Sequence, residues 1–164
     1  MKKRFYALLI FGLSIISVNA QSQNSQEEMQ TPVQRVDSLE HELLYLKLAY
    51  ELSTLNSDMA LFINEIDIKS LGIQLNISNR NFNSQLGYVY QLYYKSCQEK
   101  KQAISELIET EKTFFVLKVI TYPFSESEMN ALKAKYKVID KAYESIGKSM
   151  ELLKIVMDTY NESL

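Results

Sequence analysis

FSESEMNALKAKYKVIDKAYESIGKSMELLKIVMDTYNESL, residues 124–164, decides the fold. Its apolar residues fall at Met129, Leu132, Tyr136, Ile139, Tyr143, Ile146, Met150, Leu153, Met157, Tyr160 and Leu164. The steps alternate between three and four without a break, so all of these side chains share one face of a helix. The start of that helix is written just upstream. Ser125 can cap the first turn, and Glu128, three residues on, can reach back to complete a capping box. Phe124 and Met129 stand where a hydrophobic staple closes. Pro123 discourages any earlier helix from running through. With Met129 at heptad position a, Met and Tyr dominate the a positions, and Leu and Ile dominate d. A parallel two-stranded zipper prefers β-branched residues at a and Leu at d. The flanking positions, among them Lys133, Lys135, Asp140 and Lys154, offer little complementary charge. The stretch therefore reads as a bundle helix packing on helices of its own chain. A self-associating coiled coil is the second reading.

Two more helices lie upstream. Asn76 to Asn83 carries four asparagines in eight residues, the composition of a turn. A long helix follows it and ends near Tyr122-Pro123. Its packing face is read as Phe82, Leu86, Val89, Tyr93, Cys97, Lys100, Ile104, Leu107 or Ile108, Glu111 and Phe115. Within it Thr113–Phe124 is β-prone by composition, but no partner strand exists elsewhere, so helix is expected there too. The first helix opens at Thr31-Pro32, with a cap residue followed by proline at the first position. Val36, Leu39, Leu43, Leu46 and Tyr50 form one heptad seam, expected to be core. Leu44, Leu48, Leu52, Leu55, Met59, Phe62, Ile66, Ile73 and Ile77 form a second, drifting stripe. The changeover near Ser53–Asp58 admits two readings: a continuous helix with a stutter, or a break at Asn56-Ser57-Asp58. No Gly or Pro marks a turn there, so the continuous helix is preferred.

These readings give an all-α fold, an elongated up-down bundle of three long helices with coiled-coil-like packing. The alternative has four helices, the first broken near Asn56–Asp58. The Asn-rich turn should lie near Leu164, and the turn at residues 119–125 at the opposite end.

Residues 1–20 have the pattern of a secretory signal peptide. Lys2-Lys3-Arg4 supplies the charge, Phe5 to Ile16 the apolar run, and Val18-Asn19-Ala20 the cleavage site. The run is shorter than the roughly 20 residues of a membrane span. Cleavage after Ala20 would leave a polar, disordered tail at residues 21–31 and a single domain at 32–164. The expected location is the periplasm or the exterior of a bacterial cell.

The whole chain of 164 residues carries 18 Lys and Arg against 20 Asp and Glu, a net charge of −2. Losing Lys2, Lys3 and Arg4 leaves 15 against 20, a net of −5. That balance excludes the basic face of a nucleic-acid-binding surface. The one cysteine, Cys97, allows no internal disulfide. It reads as a small buried hydrophobe, with an intermolecular disulfide as the alternative. The one histidine, His41, falls opposite the Val36–Tyr50 seam and reads as a solvated surface residue. No Glu-x-x-His pair marks a di-iron bundle, and no glycine-rich loop cradles a phosphate. Gly72, Gly87 and Gly147 stand alone inside helices, where glycine often marks a close helix contact. No catalytic, cofactor-binding or metal-binding residues are expected.

Aromatic side chains are the suggestive feature. Tyr88, Tyr90, Tyr93 and Tyr94 crowd one short stretch of the middle helix, more than one packing face can bury. Tyr90 and Tyr94 are the expected exposed anchor for a partner protein. Phe114, Phe115, Tyr122 and Phe124 form an expected hydrophobic tip, partly covered by Val33 and Val36. The function expected is that of an exported, non-enzymatic interaction or adaptor protein of the bacterial envelope. Its partner would be an envelope protein or a second copy, and membrane contact through the tip ranks below both. The alternative is a chaperone-like protein or a binder of small apolar ligands.

Overall fold

The computed structural model describes residues 32–122 and 124–164, with side chains described from Asp37 onward. The expected signal peptide and polar tail, and the covering role given to Val33 and Val36, lie outside those described residues. The described residues form three helices: α1 (Pro32–Ser78), α2 (Ser84–Thr121) and α3 (Glu126–Glu162). The architecture is all-α, with three long helices packed as a bundle. The chain divides into two units, residues 1–40 and 41–164. In the first, only the opening turns of α1 are described. The second contains the bundle.

The α3 seam packs as its spacing requires. Leu132, Ile139, Ile146, Leu153 and Tyr160 are almost completely enclosed, and Tyr136, Met150 and Met157 are buried beside them. Removing such side chains from water stabilises the fold by about 1.5–3 kcal/mol each. Met129 and Tyr143 are half-buried, and Leu164 is exposed. The capping box at Ser125 and Glu128 is formed in both directions. Glu128 Oε2 accepts from the Ser125 amide at 2.8 Å and from its hydroxyl at 2.7 Å.

α1 is continuous through Ser53–Asp58. Two local bonds show how the polar run is accommodated. Ser53 Oγ donates to the Ala49 carbonyl at 2.8 Å, and Ser57 Oγ to the Ser53 carbonyl at 3.0 Å. The hydroxyls are satisfied on the helix itself, so nothing breaks it. The core face of α1 runs from Leu44 to Ile77, with Leu48, Leu52, Leu55, Met59, Phe62, Ile66 and Ile73 buried. Ser70, also buried, completes the stripe by donating to the Ile66 carbonyl at 2.9 Å.

The expected Leu39–Tyr50 core seam is therefore corrected. Leu39, Leu43, Leu46 and Tyr50 are all at least half exposed. The drifting stripe already fills the inward face without a change of phase, and a heptad pattern does not say which side its partner lies on. His41 follows from the same inversion. It is half-buried, with its ring edge on Phe124 at 5.2 Å and Nε2 3.2 Å from Glu128 Oε2. It is not a solvated surface residue.

α1 ends in a left-handed turn. Asn81 N–H bonds the Asn76 carbonyl at 2.8 Å, and Arg80 N–H the Ile77 carbonyl at 3.0 Å. That is the Schellman pattern, with Arg80 at φ 51° in the position glycine usually takes. Asn83 then caps α2, accepting from the Gln85 and Leu86 amides. Tyr160 reaches this turn from the end of α3. Its hydroxyl accepts from Asn83 N–H at 2.8 Å and donates to the Asn81 carbonyl at 3.1 Å. The Asn-rich turn thus lies at the Leu164 end, as expected. α2 continues as helix to Thr121, and the chain is extended at Tyr122.

Candidate interaction surface

The described residues carry little concentrated chemistry. They contain no group of three or more His, Cys, Asp or Glu side chains placed to hold a metal ion. Cys97 is 3% exposed, and burial pushes its thiol pKa up, which removes the reactive thiolate that an intermolecular disulfide needs. Burial raises Tyr93 strongly, and the neighbouring Cys97 adds to the shift. Tyr136 is pushed up to about 12 by burial and then by the Glu111 and Glu51 charges. Its hydroxyl donates to the Glu111 carbonyl at 3.1 Å, so the group ties α3 to α2. Glu111 is itself raised, first by burial and then by the Glu51 charge.

The aromatic cluster is placed differently from its expected role. Tyr90 is 5% exposed and belongs to the core. Its ring meets Tyr160 edge-on at 5.1 Å, and its oxygen accepts from Asn76 Nδ2 at 2.7 Å. Truncating it would remove core packing, at a cost of about 3–5 kcal/mol. Tyr94 is half-buried against the same core. Tyr90 and Tyr94 are therefore no exposed anchor; Tyr88 and Leu92 take the outer side of that stretch. The reason is that Tyr90, not Val89, faces inward. The tip is split in the same way. Phe115 packs on Tyr136 at 5.1 Å, Phe124 lies 6.4 Å from Tyr45, and Tyr122 is half-buried. Phe114 is exposed, together with Val116, Leu117 and Ile120.

Among the described residues, a row of exposed apolar side chains lies on α1. Leu43, Leu46 and Tyr50 are joined along the helix by Leu61, Ile68, Leu71 and Leu75, with exposures from 50% to 70%. At about 100° per residue these seven cluster on one side of the helix, about 180° from the Leu44–Ile77 core stripe. α1 is thus apolar on two opposite faces, and its own bundle covers only one. Single exposed leucines are ordinary on a protein surface, whereas these seven lie along one face. The spacing was legible in the sequence, because Leu43, Leu46 and Tyr50 were read as a seam. Leu61, Ile68, Leu71 and Leu75 were missed because they were never set against that seam as its continuation.

Away from this surface, a shallow groove of about 610 Å³ between α2 and α3 has Phe115, Val116 and Tyr136 in its wall and Lys112, Lys133 and Lys137 around them. Lys112 is committed to Asp140 at 3.1 Å and to Glu109 at 3.6 Å. No described helix is long and apolar enough to cross a membrane. Comparison with family models, with curated proteins and with solved structures found no match.

Proposed function

We propose that this chain is an exported, non-enzymatic interaction module of the bacterial envelope, and that it docks on protein through the outer face of α1. The observation that carries the reading is the stripe from Leu43 to Leu75, exposed on the side of α1 turned away from its own core. A helix apolar on both faces is suited to lie between two packing partners. The exposed Phe114 and Leu117 offer a second, smaller contact near the end of α2. Export is supported by Lys2-Lys3-Arg4, the apolar run after it and the Val18-Asn19-Ala20 site.

The test is site-specific photocrosslinking in living cells. A photoreactive residue is placed at Leu46, at Ile68 or, as control, at exposed Lys154. The protein is then recovered through a tag after Leu164. Crosslinks from positions 46 and 68 to a defined protein, absent from position 154, are expected. Equal labelling at all three sites would sink the reading. The N-terminus of the recovered protein should begin at Gln21. A chaperone-like client range would appear instead as many unrelated crosslinked proteins.

A further inference from the structure

Resting on that reading, we infer that the partner of the α1 outer face is a second copy of this chain, paired antiparallel about a two-fold axis at Ser57. The evidence is the symmetry of the stripe. Reflection about position 57 carries Leu43 onto Leu71 and Leu46 onto Ile68, exposed apolar residue onto exposed apolar residue, while Leu61 falls on exposed Ser53. It also carries Tyr50 onto Asn64, an exposed polar group that a tyrosine hydroxyl can bond. An isologous interface requires such self-complementarity, because each residue of one copy must meet its reflected counterpart in the other. The spacing is also that of a coiled-coil seam. Two heptad segments are joined by an eleven-residue step from Tyr50 to Leu61. With Leu43 and Tyr50 at a in the first, and Leu61, Ile68 and Leu75 at a in the second, Leu46 and Leu71 fall at d, and each antiparallel layer sets an a residue against a d residue.

The flanking charges fit the same register. Lys47 and Glu65 occupy matching e positions beside the stripe, and antiparallel pairing sets e against e. Lys47 of each copy then faces Glu65 of the other, giving two opposite-charge pairs. Both side chains are exposed and held only by surface partners now, Lys47 to Glu51 at 3.9 Å and Glu65 to Lys100 at 3.0 Å. α2 and α3 pack on the buried side of α1, and Lys135 of α3 reaches the edge of the outer face, donating to Ser53 Oγ at 2.8 Å.

The experiment combines sedimentation with disulfide trapping on the full mature chain. At about 100 μM, above the dissociation constant of a micromolar self-association, the protein should sediment as a dimer. Leu46→Glu with Ile68→Glu should raise the dissociation constant by at least ~100-fold. Both positions are exposed, so circular dichroism of the separated monomer should match the parent. The register is read with Leu43→Cys and Leu71→Cys. Neither variant alone should form an interchain disulfide, while a mixture of the two should. A Leu43→Cys homodimer would overturn the antiparallel register. A parent chain that stays monomeric, with no disulfide in the mixture, would overturn the second copy as partner. Crosslinks from positions 46 and 68 to a different protein would leave the docking role standing in that case, so the two failures are distinguishable.

Discussion

Arg80 is the residue where local backbone and side chain disagree. At φ 51° it closes α1 in a conformation that costs an L-residue about 1–2 kcal/mol and costs glycine almost nothing. Arg80→Gly should therefore raise the unfolding free energy, by about 0.5–1 kcal/mol after the added flexibility of the unfolded chain is counted. Urea denaturation measures this; a loss of stability would mean the Arg80 side chain contributes more than its backbone costs. Glu128 and Glu111 make a contrasting pair. Hydrogen bonds from the Ser125 side chain and backbone, with His41 beside them, hold Glu128 below the usual carboxylate range. Its contribution is present above the unfolded pKa and is lost as pH falls through the lower folded value. Glu111 is raised by burial and by Glu51, so its ionised form is disfavoured in the fold. Stability linked to it is full below the unfolded pKa and is lost as pH rises through the folded one. Glu128→Gln should thus cost stability at pH 7, with the cost shrinking in acid. Glu111→Gln should be neutral or stabilising at pH 7. Denaturation midpoints across pH 3–7, the range bracketing both carboxylates, test the two signs together.

At the scale of the element, α1 carries the main lesson. Its unbroken course through Asn56-Ser57-Asp58 makes a sharp prediction. In a helix interior, Ser57→Pro removes a backbone bond and clashes with the preceding turn, costing about 3 kcal/mol or more. In a turn between two helices the same change would be nearly free, so a small loss in the denaturation free energy would contradict the continuous helix. The three helices, their capping box and the Asn-rich turn were all legible, because periodicity and cap chemistry are local. Which apolar face of α1 looks inward was not. Leu43-Leu44, Leu46 and Leu48 supply hydrophobic residues to both sides, and only packing against α2 and α3 selects Leu44 and Leu48. The same limit explains Tyr90. Four tyrosines within seven residues signal excess apolar surface, but a shift of one position decides whether Tyr90 or Val89 is core. Arg80 was illegible for another reason: four asparagines surround it, and Asn adopts the left-handed region more readily than Arg.

For the whole molecule, the proposed self-association would be linked to folding. If the native chain is a dimer and the unfolded chain a monomer, mass action favours the fold as concentration rises. Each tenfold increase adds about 1.4 kcal/mol per dimer, shared between two chains. For a bundle of this size the midpoint of thermal unfolding should climb roughly 2–4 °C per tenfold increase in concentration. The Leu46→Glu, Ile68→Glu chain should show a flat midpoint, because its bundle is intact and only the outer face has changed. The comparison also separates interface from core. A substitution that weakened the core would lower the midpoint at every concentration and keep the slope. One that removed the interface would abolish the slope and converge on the parent value at high dilution. A flat midpoint for the parent chain over a hundredfold range would place the cover of the α1 stripe on another protein.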